Sequence, residues 1–518
     1  MSLAFPAAND RAPMFRVSLI LEALRARPAL MFWVAALAQG ALWTLVPSLF
    51  YAAPPGDVPL VLAVGREWQL GSPYGPPLAD WLADVAFRLA GGSIFGVYLL
   101  SQACVVTAYW AVFSLGRAIA GSAHAAMAIL LMAGISVFTV PTIEFGPAVL
   151  AMPLTAATFL FCYRALADNR RTDWALFGAA LGLLILTAYT GLILLGLIVL
   201  FMLATAQGRS RLAGLGPLIA LFVVVMVNLP HIVWLERSGF DPLPAIKAIP
   251  RLMTGEKRLA NWGNLLLLLL FSHAGLAVLA AVAGGVLAGS RERAPAVERV
   301  PVAPFAKRFV YFFALVPVFV ATVLAVLFGH ATPVGGAAPI VVLSGLAVIV
   351  VAGDVIRLYR QRIGALVWLG LLVVPPAMIV AATVTLPWTA AVDLEVSKPA
   401  NAMGQFFTEA FRRRTGKPLA IVIGDVRTAG LVAFASPDRP SLYVDGDPAR
   451  ASWLSDAAVV EKGAIVTWMA TDTAGTPPPA LKARFPELAV EVPRTFERTV
   501  QGRLQSLRIG WAMIRPRA

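Results

Sequence analysis

Residues 364–386, GALVWLGLLVVPPAMIVAATVTL, decide the fold class of this chain because they form a long apolar run without a charged side chain. Arg357, Arg360 and Arg362 stand just before the run. A helix needs about 20 apolar residues to cross a bilayer, and basic residues collect at the cytoplasmic ends of such helices. The stretch therefore predicts a transmembrane helix.

The same pattern recurs along most of the chain. The 518 residues are 59% hydrophobic and only 14% charged, whereas a soluble domain has about a quarter of its residues charged. We predict a polytopic α-helical membrane protein with about eleven spans, near 29–50, 94–116, 123–142, 146–163, 173–188, 190–206, 212–233, 262–288, 309–329, 335–353 and 364–386.

The distribution of basic residues predicts the orientation. With the N-terminus in the cytoplasm, the inner segments hold more than twice as many Lys and Arg residues as the outer loops, which contain Arg66, Arg88, Arg237, Lys247, Arg251, Lys257 and Arg258. An odd number of spans then places the C-terminal end in the periplasm of a bacterial inner-membrane protein. The net charge of +14 follows from this bias, so we expect membrane lipids and no nucleic acid as partners.

Two predicted outer loops, 51–93 and 234–261, are too long to be simple turns. In the first, Pro76 and Pro77 can begin a helix. The apolar residues that follow recur at helical spacing and predict a helix on the membrane surface: Leu78, Trp81, Leu82, Val85 and Leu89. We assign residues 1–389 to the membrane domain that contains these loops.

The tail, residues 390–518, reads as a small α/β domain. Short apolar runs at 419–424, 441–444 and 464–469 predict strands, and Asp425 can cap a helix through Phe434. A further helix is predicted near 448–460. The alternation of strands with helices predicts a partly parallel sheet.

Two acidic residues on the predicted outer side are candidates for chemistry. Asp57 lies in PPGDVP at 54–59, where a carboxylate beside a cavity can act as a general base and where Asp also suits a plain turn. Glu144 lies in the very short outer turn 142–147. It can face a cavity and pair with Asp57, pair with a basic group, or meet water between lipid headgroups.

Lys247, Arg251, Lys257 and Arg258 cluster in the second outer loop. Their charges suit phosphate oxygens, either at a specific site or among lipid headgroups generally. The 4 His residues have no metal-ligand spacing, and two separated carboxylates are too few to argue for a divalent cation. We therefore expect no cofactor and assign no metal ligands, and the sequence leaves open whether a divalent cation binds.

Eight short motifs follow one another along the chain: the acidic residue beyond the first span, WQLG at 68–71, YGPPLADWL at 74–82, EFGPAVLAMPLTA at 144–156, TAYTG at 187–191, PHIVWL at 230–235, FDPL at 240–243 and VAFASPDRPSLY at 432–443. This ordered set resembles the GT-C membrane glycosyltransferases of family 39, the protein mannosyltransferase and aminoarabinose transferase type. Each is weak alone, but together they follow the family order over most of the chain.

The resemblance implies transfer of a sugar from a polyprenyl-phosphate donor to a lipid, glycan or protein acceptor on the outer face, with inversion at the anomeric carbon. Asp57 falls at the family's catalytic acid and Glu144 near its second outer acid. The basic residues Lys247, Arg251, Lys257 and Arg258 then bind the donor phosphate. The resemblance assigns the substrate pocket to Tyr74, Trp68, Tyr189 and His231.

Three departures from the family pattern keep other functions open. Gly75 replaces the His of the Pro-Pro motif, Ala188 replaces a Lys, and Val58 stands where a second acid often follows the catalytic one. A protein that binds a lipid-linked sugar without transferring it is the main alternative to an enzyme. A transporter or lipid flippase is the third reading, although the chain shows no clear internal repeat and its polar candidates cluster at one edge.

Overall fold

The computed structural model describes residues 22, 24–239, 255–284, 296–486 and 488–517, with the side chains of 255–257 outside that description. Six of its helices are long and apolar enough to cross a bilayer. They are α1 (Pro28–Phe50), α4 (Phe95–Ala120), α6 (Pro147–Asp168), α10 (Gly216–Ser238), α13 (Pro304–Leu327) and α16 (Gln361–Thr389), and between the first two lie α2 (Val58–Arg66) and α3 (Leu78–Leu89).

Three bent helix pairs bring the possible spans to nine in the described part of the chain. The pairs bend by 87°, 107° and 46°. Their members are α5 (Ser122–Met132) with the 3₁₀ turns Ser136–Phe138 and Val140–Ile143, α8 (Thr190–Ala204) with α9 (Ala206–Leu212), and α11 (Gly255–Ser272) with α12 (Ala274–Ala283). Each corresponds to one predicted span.

The two remaining predicted spans, 173–188 and 335–353, are also helical but shorter. The first is α7 (Arg171–Ile185), and the second contains α14 (Ala337–Ile340) and α15 (Ser344–Val351). The 15 residues of α7 extend only about 22 Å, less than the roughly 30 Å of a bilayer core. These helices pack within the bundle, and α7 lies against both α6 and α10.

The C-terminal part is a small domain around a five-stranded sheet. Strands β3 (Ile421–Gly424), β4 (Ser441–Val444) and β5 (Ala464–Met469) are parallel, and β6 (Val490–Phe496) and β7 (Leu507–Ile514) complete the order β4-β3-β5-β7-β6 with antiparallel pairing. The helices are α17 (Ala400–Thr415), α18 (Ala429–Ala435), α19 (Asp456–Lys462) and α20 (Pro479–Arg484). A two-stranded ribbon, β1 (Ala296–Glu298) with β2 (Val355–Arg357), lies in the membrane domain. The fold class is thus confirmed: a polytopic helical membrane protein with a small C-terminal sheet domain.

The sheet domain lies on the same end of the bundle as Asp57. The backbone N–H groups of Ala52 and Ala53 both donate to the carbonyl of Val396, at 2.8 and 3.1 Å. Gly430 of α18 packs against Pro59 of α2. The domain therefore covers the surface helices α2 and α3, and we call this end of the bundle the Asp57 end.

Helix α3 begins directly after Pro77, as predicted, and small and acidic residues make up most of its buried face. The buried residues are Ala79, Asp80, Ala83, Asp84 and Phe87, whereas Leu89 is exposed. The small alanines let α3 pack closely on α2, and a Cβ at Gly65 would lie 2.1 Å from the carbonyl oxygen of Asp80. The large apolar residues of the predicted stripe before Leu89 are half-buried, because α3 is enclosed by α2, the bundle and the sheet domain.

Candidate active site

The structure brings the two predicted acids together. Asp57 precedes the first residue of α2 and its exposed side chain makes no capping hydrogen bond with the described backbone. Glu144 follows the 3₁₀ turn Val140–Ile143. Gly56 lies directly against this glutamate, since a Cβ at Gly56 would sit 2.3 Å from Glu144 Oε2, and its φ of +53° also suits glycine. Asp57 therefore directly follows Gly56, the residue that packs against the Glu144 carboxylate.

The environment of Glu144 raises the pKa of its carboxyl group. Burial is the largest cause, followed by repulsion from the charges of Asp57 and Glu395. Burial and the nearby Glu144 charge also raise the pKa of the Tyr51 hydroxyl. Titratable groups with shifted pKa values are common where proton transfer takes place, and structural clusters of charged residues shift pKa values too.

Glu395 and Arg427 add the sheet domain to this cluster. Arg427 Nη1 lies 2.7 Å from Glu395 Oε1, and most of the Arg427 side chain is exposed. The site therefore contains three carboxylates and a guanidinium from two parts of the chain. Among the described residues, no group of three or more His, Cys, Asp and Glu side chains is arranged to hold a metal ion.

A cavity of about 50 Å³ lies among α6, α7, α8 and α13. We call it the outer cavity, after the orientation predicted from the sequence. Its lining is mostly apolar, with the hydroxyls of Thr155 and Thr190 as polar groups. Gly335 packs on Thr190, and the adjacent Gly336 packs on Ala148, one helical turn after Glu144. The cavity thus lies beside the segment that carries Glu144.

Of the predicted phosphate-binding residues, Lys247 and Arg251 lie outside the described residues, as does the side chain of Lys257. Arg258 is in the first part of α11. One turn further along, the Trp262 indole N–H donates to Thr322 Oγ1 at 3.1 Å, and the neighbouring Ala321 lines the outer cavity. The described part of the predicted basic cluster therefore lies near α13, which forms one wall of the outer cavity.

Tyr189 and His231, two of the predicted pocket residues, are in contact and belong to one chain of hydrogen bonds. His231 Nδ1 lies 2.7 Å from the carbonyl oxygen of Leu70, so this nitrogen carries the proton and donates. Nε2 then accepts from the Tyr189 hydroxyl at 3.0 Å. Tyr189 directly precedes Thr190, which lines the outer cavity. Burial raises the pKa of the Tyr189 hydroxyl to about 12, so the hydroxyl remains a donor at neutral pH.

Trp68 and Tyr74 face other partners. The Trp68 indole N–H donates to Asp84 at 3.1 Å, and the ring stacks on Trp81 at 5.8 Å between centroids. The Tyr74 hydroxyl donates to the carbonyl of Arg450 in the sheet domain at 3.0 Å. In the described part of the chain neither residue lines the outer cavity. Both hold the first outer loop in place, and their assignment to the substrate pocket stays a prediction.

The structure accounts for Gly75 at the position of the family's His. Gly75 has a φ of +138° and exchanges two backbone hydrogen bonds of 3.1 Å with Ser72 in a tight turn. A residue with a Cβ rarely adopts this conformation. The turn therefore requires glycine, even though a Cβ at this position would have no neighbour within 4 Å among the described residues.

Asp84 is a residue that the sequence analysis missed. Its fully buried carboxylate lies 2.6 Å from Arg88 Nε and 2.7 Å from Arg439 Nη2 of the sheet domain, in addition to the Trp68 indole. The side chains of Arg88 and Arg439 are 51% and 32% exposed. This acid therefore joins α3 to the sheet domain above the site.

We expect Asp84→Ala to lower the free energy of unfolding by about 2–3 kcal/mol, because the buried ion pairs lose their acid while both arginines can still reach water. Thermal unfolding of the purified protein in detergent measures the change. Glu409→Ala is the matched control, since its pair with Arg413 at 2.7 Å is exposed on both sides and contributes about 0.5 kcal/mol or less. Equal losses in the two variants would contradict a connecting role for Asp84.

A family model described as dolichyl-phosphate-mannose-protein mannosyltransferase matches residues 74–234. The structure of ArnT from Cupriavidus metallidurans bound to undecaprenyl phosphate is similar over 94% of this chain and 98% of that chain, with a TM-score of 0.61 and 13% sequence identity. The chain has the GT-C fold.

The resemblance to the GT-C glycosyltransferases is thus confirmed. The Archaeoglobus fulgidus oligosaccharyltransferase in its apo form is also similar, at 14% identity over 90% of this chain and 72% of that chain, but its TM-score of 0.47 is too low to support an argument. No match was found among curated protein sequences. The matched family segment, 74–234, runs from the turn before α3 to Trp234 in α10 and includes Glu144, Tyr189 and His231.

Proposed function

We propose that this GT-C protein is an inverting glycosyltransferase that uses a polyprenyl-phosphate sugar at the Asp57 end of the bundle. The observation that carries the proposal is the exposed Asp57 carboxylate beside Glu144, whose pKa is raised, next to a largely apolar cavity. The GT-C fold supports the same class of reaction, and the similar ArnT structure contains undecaprenyl phosphate.

In the proposed reaction Asp57 is the general base. The acceptor O–H bond breaks as its proton passes to Asp57, and the oxygen forms a bond to the anomeric carbon of the donor sugar. The bond from that carbon to the phosphate oxygen breaks on the opposite side, and its electron pair leaves with the lipid phosphate. Glu144 holds its proton to a higher pH than an ordinary glutamate, so it can orient the acceptor with less repulsion toward Asp57.

The phosphate that leaves requires a cation, and Ala188 supplies none. We assign this role to Arg427, whose exposed guanidinium lies in the acidic cluster and pairs with Glu395. Arg258 can assist from the start of α11. A guanidinium can donate to two oxygens of a phosphate, as it can to two oxygens of a carboxylate. Arg427 can therefore exchange the Glu395 carboxylate for the donor phosphate and keep an anionic partner.

The outer cavity is the proposed place for the first isoprene units of the donor, because its lining is apolar below the acidic cluster. We further propose that the Asp57 end faces the periplasm, as the distribution of basic residues predicts, with the N-terminus in the cytoplasm. The acceptor is then a lipid, glycan or protein of the cell envelope.

Purified protein in nanodiscs, incubated with radiolabelled polyprenyl-phosphate sugars and an extract of envelope acceptors, tests this function. We expect labelled sugar on an acceptor and an equal amount of free polyprenyl phosphate. Saturable binding of the donor without either product would support a non-catalytic binder of lipid-linked sugars instead. Movement of intact donor between leaflets without cleavage would support a flippase.

Gly56→Ala is expected to lower turnover at least tenfold while the protein remains folded. The new methyl group would occupy the position of the Glu144 carboxylate and displace it from Asp57. Turnover with a saturating donor measures the loss. Gly91→Ala is the matched control, because Gly91 also lies in the first outer loop with a φ of +68° but a Cβ there meets no described atom within 4 Å. If both variants lose activity equally, backbone strain and not carboxylate placement is responsible.

A further inference from the structure

A second and larger groove lies at the end of the bundle opposite Asp57. Its volume is about 330 Å³, and it lies among α1, α5, α12, α15 and α16. Aliphatic side chains dominate the lining, including Met31, Val34, Leu131, Leu279 and Val348. We call it the inner groove. Among the described residues it shares no lining residue with the outer cavity, so the proposed donor site does not account for it.

Helix α16 is loosely packed along this groove. Only 11% of its most apolar 18-residue window is buried, compared with 72% for α6. Its contacts with the rest of the membrane domain are made mainly to α1 and α12, which form the other walls of the inner groove. An occupant of the groove would therefore complete the packing of α16, the helix that leads into the sheet domain.

Two buried polar atoms belong to side chains that line the inner groove and have no hydrogen-bond partner among the described residues. They are Gln361 Oε1, an acceptor, and Trp368 Nε1, a donor. A buried polar group without a partner destabilises the folded chain. An ester carbonyl can accept from Trp368, and a headgroup hydroxyl can donate to Gln361. A glycerophospholipid carries ester carbonyls, whereas a polyprenyl phosphate does not.

The mouth of the groove is basic. Four exposed arginines are the sequence neighbours of residues that line the groove: Arg25, Arg357, Arg360 and Arg362. Arg27, also exposed, lies between the lining residues Leu24 and Met31. The acids of the same segments are Glu22, Glu298 and Asp354, and Asp354 is paired with Arg299 at 3.1 Å. The excess of positive charge suits a ligand with an anionic headgroup.

We propose that the inner groove is a binding site for one anionic glycerophospholipid. An acyl chain fills the apolar part of the groove, an ester carbonyl accepts from the Trp368 indole, and the phosphate lies among the arginines at the mouth. The lipid connects α16 to α1 and α12, and so supports the sheet domain from the far side of the membrane.

Native mass spectrometry of the full-length protein, delipidated and then titrated with dioleoyl phosphatidylglycerol, tests the site. We expect one lipid to remain bound at collision energies that remove dioleoyl phosphatidylcholine. Ala365→Phe fills the groove and should weaken phosphatidylglycerol binding at least tenfold. Val373→Phe is the matched control, because Val373 is an exposed residue of the same helix that does not line the groove, and it should retain the lipid.

Arg357→Gln provides a variant that leaves the apolar groove unchanged, and it should weaken binding of phosphatidylglycerol but not of phosphatidylcholine. Equal retention of the two lipids, or retention by Ala365→Phe, would overturn the proposal. Preferential retention of undecaprenyl phosphate over phosphatidylglycerol would also overturn it, in favour of a second polyprenyl site. Loss of a dimer in Ala365→Phe, with no change in lipid retention, would show that another copy of the chain fills the groove.

Discussion

Asp57→Asn is expected to lower sugar transfer by about 10²–10⁴-fold, the contribution typical of a general base. The amide cannot take a proton from the acceptor hydroxyl, yet it has nearly the same size as the carboxylate. Because Asp57 is exposed and makes no capping hydrogen bond with the described backbone, the change should leave the fold intact. Rates of polyprenyl-phosphate release under saturating donor measure the loss.

The control for this variant is Glu395→Gln, which changes a carboxylate of the same cluster that is not assigned the base role. It should alter donor affinity through Arg427 and retain most of the turnover at saturating donor. Donor binding to Asp57→Asn should remain within about threefold of the unchanged protein. Full turnover by Asp57→Asn would remove Asp57 from the mechanism, even if the protein proves to be a glycosyltransferase.

Asp80→Asn is expected to stabilise the protein at pH 8 and to leave it unchanged near pH 4. Burial of Asp80 on α3 raises the pKa of its carboxyl group to about 8. The unfolded chain loses this proton near pH 4, whereas the folded chain keeps it up to about pH 8. The stability that comes from the neutral carboxyl is therefore fully present below pH 4 and is lost progressively as the pH rises to 8.

The loss between these limits is on the order of 5 kcal/mol for a single site that titrates independently. The melting temperature of the unchanged protein should fall across this range, whereas Asp80→Asn should melt at least roughly 5 °C higher at pH 8. Asp472→Asn is the control, because hydrogen bonds from Thr476 lower the pKa of this exposed acid instead of raising it. Parallel melting curves for Asp80→Asn and the unchanged protein would show that Asp80 is not buried as a neutral acid.

The apolar runs were sufficient to predict the membrane fold, because lipid allows few alternatives to a helix. Length was harder to predict. Residues 173–188 and 335–353 have the composition of spans, but their helices end early and are supported by neighbouring helices. Strands β3, β4 and β5 were predictable because each is a short apolar run, and β4 and β5 have the predicted bounds. Strand β6 was missed because it is an exposed edge strand with Pro493 near a bulge.

The proximity of Asp57 and Glu144 followed from the prediction that both lie on the outer side. The role of Gly56 depends on a close approach to Glu144 that no local pattern indicates. Asp84 could not be identified in the same way. A charged residue on an amphipathic helix normally faces water, and only Arg439, far along the chain, makes its burial possible. Arg427 likewise enters the cluster through the docking of the sheet domain. The spacing of residues along the sequence does not indicate tertiary contacts of this kind.

The measurement that tests the central claim most directly is a structure of the protein with a bound polyprenyl-phosphate sugar analogue. We predict the anomeric carbon at the Asp57–Glu144 pair, with room for an acceptor oxygen about 3–3.5 Å from that carbon and in hydrogen-bond reach of Asp57. The phosphate should contact Arg427, and the first isoprene units should enter the outer cavity. A sugar bound elsewhere, with Asp57 out of hydrogen-bond reach of any position that an attacking oxygen could occupy, would contradict the account.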